Sequence, residues 1–80
     1  MAEPIYLLSI NSGGIAELSD KTRWRLAPME LRRTSSWMSG DTINVVHTDH
    51  PLWPWRVHHL GRGESIGAIE IKPLPGLFNL

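Results

Sequence analysis

Arg23-Trp24-Arg25-Leu26 is the stretch that decides the fold. Its strict alternation puts Trp24 and Leu26 on one side of an extended chain and the two arginines on the other, the mark of a half-buried strand. Ala27-Pro28 closes that strand. Proline fixes φ near the helical value and suits the first position of a helix, and Glu30 is favourably placed in the first turn, so a short helix or 3₁₀ turn is predicted over 28–36.

On the N-terminal side, 5–11 is apolar on both alternating sets (Ile5 and Leu7; Tyr6, Leu8 and Ile10), as expected of a central strand. Asn11-Ser12-Gly13-Gly14 turns the chain, because glycine supplies the positive φ of tight hairpins. A second strand is read at 15–18 and a turn at Ser19-Asp20-Lys21. On the C-terminal side, Ser39-Gly40-Asp41 launches a strand over 42–48, with Ile43, Val45 and His47 on one face. His50-Pro51-Leu52-Trp53-Pro54 reads as a loop or edge entry, since two prolines remove ladder donors. A fifth strand follows at 55–60, a turn at Gly61-Arg62-Gly63-Glu64, and a sixth strand at 66–71. Six short strands with one helical turn between the third and fourth predict an all-β, small single-domain barrel over 1–71, OB-like or SH3-like. The Pro-containing apolar tail, 72–80, carries Leu74, Leu77, Phe78 and Leu80, and self-association through it is the alternative to packing on its own domain.

Composition bounds what such a domain can do. The 80 residues contain no cysteine, which excludes a disulfide framework and a thiolate zinc site. Hydrophobic residues at 41% against 20% charged argue for a folded chain and against disorder. No apolar run approaches the ~20 residues of a membrane span, and Glu3-Pro4 replaces the basic start of a secretory signal. A cytoplasmic location is expected, with no membrane partner, and a bacterial cytosol suits a cysteine-free chain.

Two motifs carry a resemblance. Asp20-Lys21-Thr22-Arg23-Trp24-Arg25-Leu26-Ala27-Pro28, followed by Trp37-Met38-Ser39-Gly40-Asp41-Thr42-Ile43, resembles a pattern in small uncharacterised bacterial proteins. Those proteins read acidic turn, Trp-x-Ile/Leu-x-Pro, Trp-x-x-Gly-Asp-x-Ile/Val and an aromatic-rich fifth strand. The similarity spans about residues 5–71. Its motifs are structural, the group has no established activity, and the resemblance implies a β fold without a mechanism.

Four tryptophans, a basic segment and four histidines are the candidates for function. Trp24, Trp37 and Trp55 read as core, because rings of this size normally fill a small domain. Trp53, between Leu52 and Pro54, is the candidate anchor, with Arg56 close behind it; both residue types are enriched at interface hot spots. Lys21, Arg23, Arg25, Arg32 and Arg33 face the single acid Glu30 within 21–33, whereas the whole chain sums to zero charge. That asymmetry supports an alternative, OB-like single-stranded nucleic-acid binding, but Trp24 should point inward and cannot stack bases beside the arginines. His47, His50 and His58 are weak metal candidates: their spacing is not a recognised ligand pattern, and His58 and His59 must point to opposite faces. No nucleophile elbow or phosphate loop appears, so neither enzymatic activity nor a cofactor is expected. The resulting reading is a non-catalytic protein-interaction or accessory module. Its candidate contacts are Trp53, Arg56, Arg23, Arg25, Arg32 and Arg33, and a protein partner is expected ahead of nucleic acid.

Overall fold

A computed structural model describes residues 3–72. Strands β1 (Ile5–Ile10), β2 (Ile15–Leu18) and β3 (Arg23–Leu26) form one meander. A 3₁₀ helix (Pro28–Ser36) leads into a second meander of β4 (Thr42–His47), β5 (Trp55–His59) and β6 (Glu64–Ile71). The two are laid edge to edge, β3 beside β6 and β1 beside β4, giving a closed antiparallel barrel in the order β1-β2-β3-β6-β5-β4. Closure pairs the outer strands of each meander, which a flat sheet of this size would leave as templates for aggregation.

The alternation of β3 is borne out: Trp24 and Leu26 are buried, and Arg23 and Arg25 lie on the outer face. The interior is filled by Leu7, Leu18, Leu26, Val57 and Ile66, with Ala16 and Ala68 opposite the larger rings. Trp24 buries a polar N–H, which must be satisfied. Its Nε1 donates to Thr22 Oγ1 at 2.8 Å, and Thr22 in turn donates to Asp20 Oδ1. The Asp20 carboxylate also receives the Thr22 N–H, so one acidic residue fixes the turn and, through it, the tryptophan.

Two local readings are corrected. In β1 the pairing slips between Leu7 and Ser9, a β-bulge that puts two residues opposite one on β2. The slip reverses the side-chain alternation, so Ile10 joins Leu7 against the core while Tyr6 and Leu8 stay on the outside. A strict two-residue period therefore misplaces Ile10. Strand β6 begins at Glu64 rather than 66, because Gly63, at φ +66°, completes the turn early enough for Glu64 to pair with His59. The strand ends at 11, 48 and 60 fall one residue shorter in the structure. Beyond Lys72, the tail with Leu74, Leu77, Phe78 and Leu80 lies outside the described residues.

Candidate functional site

The 3₁₀ helix has no fully buried residue, yet it fixes one flank of the barrel through Glu30 and Arg33. Glu30 Oε1 accepts the Gly67 N–H at 3.0 Å, and its Oε2 accepts from Arg33 at 2.8 Å and Arg56 at 3.2 Å. Arg33 also donates to the Ser65 carbonyl at 2.9 Å, and Arg56 donates to Ser65 Oγ from Nε and Nη2. Burial works against the Glu30 charge, but the Gly67 N–H, then Arg56 and Arg33, outweigh it and hold the pKa below the ordinary glutamate value. The carboxylate thus ties the helix to β5 and β6.

Trp53 completes this flank. Gly67 faces outward on β6, and a Cβ built there would lie 3.0 Å from Trp53 Cβ and 3.3 Å from Glu30 Oε1. Only a glycine leaves room for the two to meet over the strand. The loop carrying Trp53 is fixed from both ends: the Thr48 N–H donates to the Pro54 carbonyl, and His50 Nδ1 accepts the N–H groups of Leu52 and Trp53. Trp53 itself is half-buried and packs against the core periphery. Beside it Leu52 is 68% exposed, and beside Glu30 Met29 is 81% exposed. Ile69, also exposed, is two residues along β6 from Gly67, opposite Arg25. Leu52, Met29 and Ile69 are thus exposed apolar side chains on the three segments that meet at Gly67.

A second polar cluster lies at the β1–β4 closure. His59 is buried on β5, its Nδ1 accepts the Arg62 N–H, and its Nε2 lies 2.7 Å from Asp41 Oδ2. An acceptor at Nδ1 leaves the proton on Nε2, so His59 donates to Asp41. Asp41 also caps the Met38 N–H at 2.7 Å; that bond first, and His59 second, hold its carboxyl below the ordinary aspartate value. The Trp37 ring tilts over His59 at 5.1 Å, and its Nε1 donates to Glu64. Among the described residues no buried side-chain polar atom lacks a partner. The polar groups of this cluster bond to one another: Gly40, at φ +94°, makes the turn after Trp37 and Asp41 secures it.

The candidates separate accordingly. Trp53 and Arg56 are brought together at the Gly67 flank, and Arg33 joins them from the helix. The basic 21–33 segment is divided: Arg23 lies 3.8 Å from Glu17, and Arg33 is held by Glu30. Arg25 and Arg32 remain exposed and, among the described residues, make no ion pair. His47 packs edge-on against Trp55 at 4.8 Å, His50 caps its loop, and His58 stands opposite Asn44 and Ser65. Among the described residues no three metal-ligating side chains converge. Trp24 and Trp37 are buried as read, while Trp55 is only half-buried, edge-on to Trp24 at 5.3 Å. Glu30 and Gly67 were missed as organisers of the flank. Glu30 is the lone acid in a basic run, and that isolation was the available signal; nothing in the sequence marks Gly67.

Comparisons with protein-family models, curated proteins and solved structures find no match for this chain. Among the described residues no helix is long and apolar enough to cross a membrane.

Proposed function

We propose that this chain is a non-catalytic protein-interaction module whose docking face is the Gly67 flank. The observation that carries it is Trp53, held in place over Gly67 by a hydrogen-bonded loop, with exposed Leu52 next to it in the loop and exposed Met29 next to Glu30 in the helix. A half-buried aromatic already fixed in one position loses little freedom on binding, and apolar neighbours on the same flank supply area to bury. Arg56 supports this face from below through Glu30 and Ser65, and Arg25 offers charge at its rim. The division of the basic segment favours this reading over single-stranded nucleic acid, because two of the four candidate arginines already face carboxylates.

The test compares crosslinked partners of the tagged wild-type chain with those of Leu52→Asp, Met29→Asp and Arg32→Ala. The expected result is a reproducible protein partner reduced at least tenfold by both aspartates and retained by Arg32→Ala. Partner capture indifferent to Leu52 and Met29 overturns the reading. Binding of a labelled single-stranded oligonucleotide that weakens as salt rises and is lost in Arg25→Ala/Arg32→Ala would move the function to the nucleic-acid alternative.

A further inference from the structure

The barrel is closed unevenly. β4 pairs with β5 at five positions and β5 with β6 at five, but β1 meets β4 at only two, Ile5 opposite Ile43 and Tyr6 opposite Thr42. One further exchange, Leu7 N–H to the Asp41 carbonyl and Gly40 N–H to the Leu7 carbonyl, ends the seam. Past Leu7 the strand pairs only with β2. The Asn11 N–H donates across to Ile15, so in the alternation of an antiparallel ladder the N–H and C=O of Ile10 point away from β2. No described strand lies on that side.

A cavity of about 480 Å³ lies there instead. Leu8, Ser9 and Ile10 form one wall, and Leu31, Thr34 and Trp37, from the 3₁₀ helix and its end, form the other. It falls within the usual size of ligand sites. Its lining has apolar surface, hydroxyls and the Asn11 amide but no charged side chain, so a charged group entering it would lose hydration without gaining a counter-charge.

We infer that this groove takes an extended, uncharged peptide segment of a partner protein, which adds as a strand beside Ile10. An extended backbone supplies the acceptor and donor that the Ile10 N–H and C=O need, and its alternate side chains enter between the strand and the helix. The free edge runs from Leu8 to Ile10, about 10 Å of strand, before the chain turns at Asn11. A second copy of this chain does not fit the same edge. Its own β1 is walled by its own helix, and pairing two such edges would drive the helices together. The inference is independent of the Gly67 flank and uses none of its residues.

The decisive measurement is residue-resolved amide exchange on the isotope-labelled full chain, followed by titration with peptides. In the free protein the Ile10 amide is expected to exchange at least tenfold faster than that of Asn11. Peptides enriched from a displayed random dodecamer library should be uncharged over a run of about three residues, the length of the edge. They should protect the Ile10 amide and shift the amides of 8–12 and 31–37. Thr34→Arg should weaken them at least tenfold, and Trp53→Ala should not. Should Thr34→Arg fail to fold, Ser39→Arg, an exposed residue on the same groove, serves in its place. Slow exchange at Ile10 in the free chain overturns the inference. So do the absence of enriched peptides, peptides that shift the Trp53 loop instead, and binding indifferent to the arginine variants.

Discussion

The two flanks of the 3₁₀ helix are built from one nine-residue segment but finished in opposite ways. On the β5–β6 side Glu30 and Arg33 reach across the strands: Glu30 accepts from the Gly67 N–H and Arg56, and Arg33 donates to the Ser65 carbonyl. On the β1 side Leu31 and Thr34 stand opposite a strand whose closure stops at Leu7, with a cavity between them. The difference is one of side-chain chemistry. A carboxylate and guanidinium groups can bridge several ångströms to fixed partners, whereas a leucine and a short hydroxyl cannot reach the strand backbone. Thr34 Oγ1 instead donates back to the Leu31 carbonyl. The same helix therefore fastens the barrel on one side and leaves it receptive on the other.

The comparison is broken most severely at Glu30. Glu30→Ala removes the acceptor for Gly67 N–H and leaves Arg56, itself 30% exposed, with Ser65 but no carboxylate, so about 2 kcal/mol of stability should be lost. For a domain of this size that lowers Tm by about 8–16 °C in a thermal melt. An unchanged Tm would mean that the helix is not held by this carboxylate. The cavity on the β1 side predicts a contrast: Thr34→Ala should cost far less.

Gly67→Ala acts on the fastened flank alone. The new methyl meets Trp53 Cβ at 3.0 Å, inside ordinary contact, so either the loop lifts or the strand yields. The expected cost is about 1–2 kcal/mol of overpacking. A red-shifted tryptophan emission in the variant would show the loop lifting; emission and stability both unchanged would show that the close approach is unimportant.

Acid provides the smallest and most graded perturbation, acting on both sides. Glu30 and Asp41 both have folded-state pKa values held below their ordinary ones. The sign follows from linkage: such a carboxylate contributes stability that is fully present above its unfolded pKa and is lost as pH falls through its folded pKa. Denaturant midpoints measured downward from about pH 5 should therefore fall, as the charges facing Arg33, Arg56, His59 and Arg62 are protonated. Glu30→Gln should flatten that fall more than Asp41→Asn, whose carboxylate is well solvated. Equal slopes in wild type and both variants would dissociate these residues from acid lability.

Much of the barrel was legible because its signals are local. The alternation of Arg23–Leu26 placed Trp24 and Leu26 inside, the glycine-containing turns and Ser19-Asp20-Lys21 placed the hairpins, and Pro28 placed the helix. The bulge at Leu7/Ser9 was not legible, since an extra residue leaves no mark in a strand whose two alternating sets both carry apolar side chains. At the candidate site Trp53 stood out because prolines bracket it, and the structure keeps it half-exposed. Its partners did not stand out. Arg33 and Arg56 read as free cations, and only their distances to a glutamate up to 26 residues away show them committed.

The sequence by itself determined six strands, one helical turn and an interior built around Trp24, because turn geometry and side-chain alternation depend on neighbours in the chain. Tertiary structure alone decided that the barrel closes firmly through β6 and sparingly through β1. It also decided which charges are locked around Glu30 and which cations, Arg25 and Arg32 among them, stay exposed. Those outcomes depend on which distant backbones lie within hydrogen-bond reach, and a distance of that kind is set by the packing of the whole chain rather than by any stretch of it.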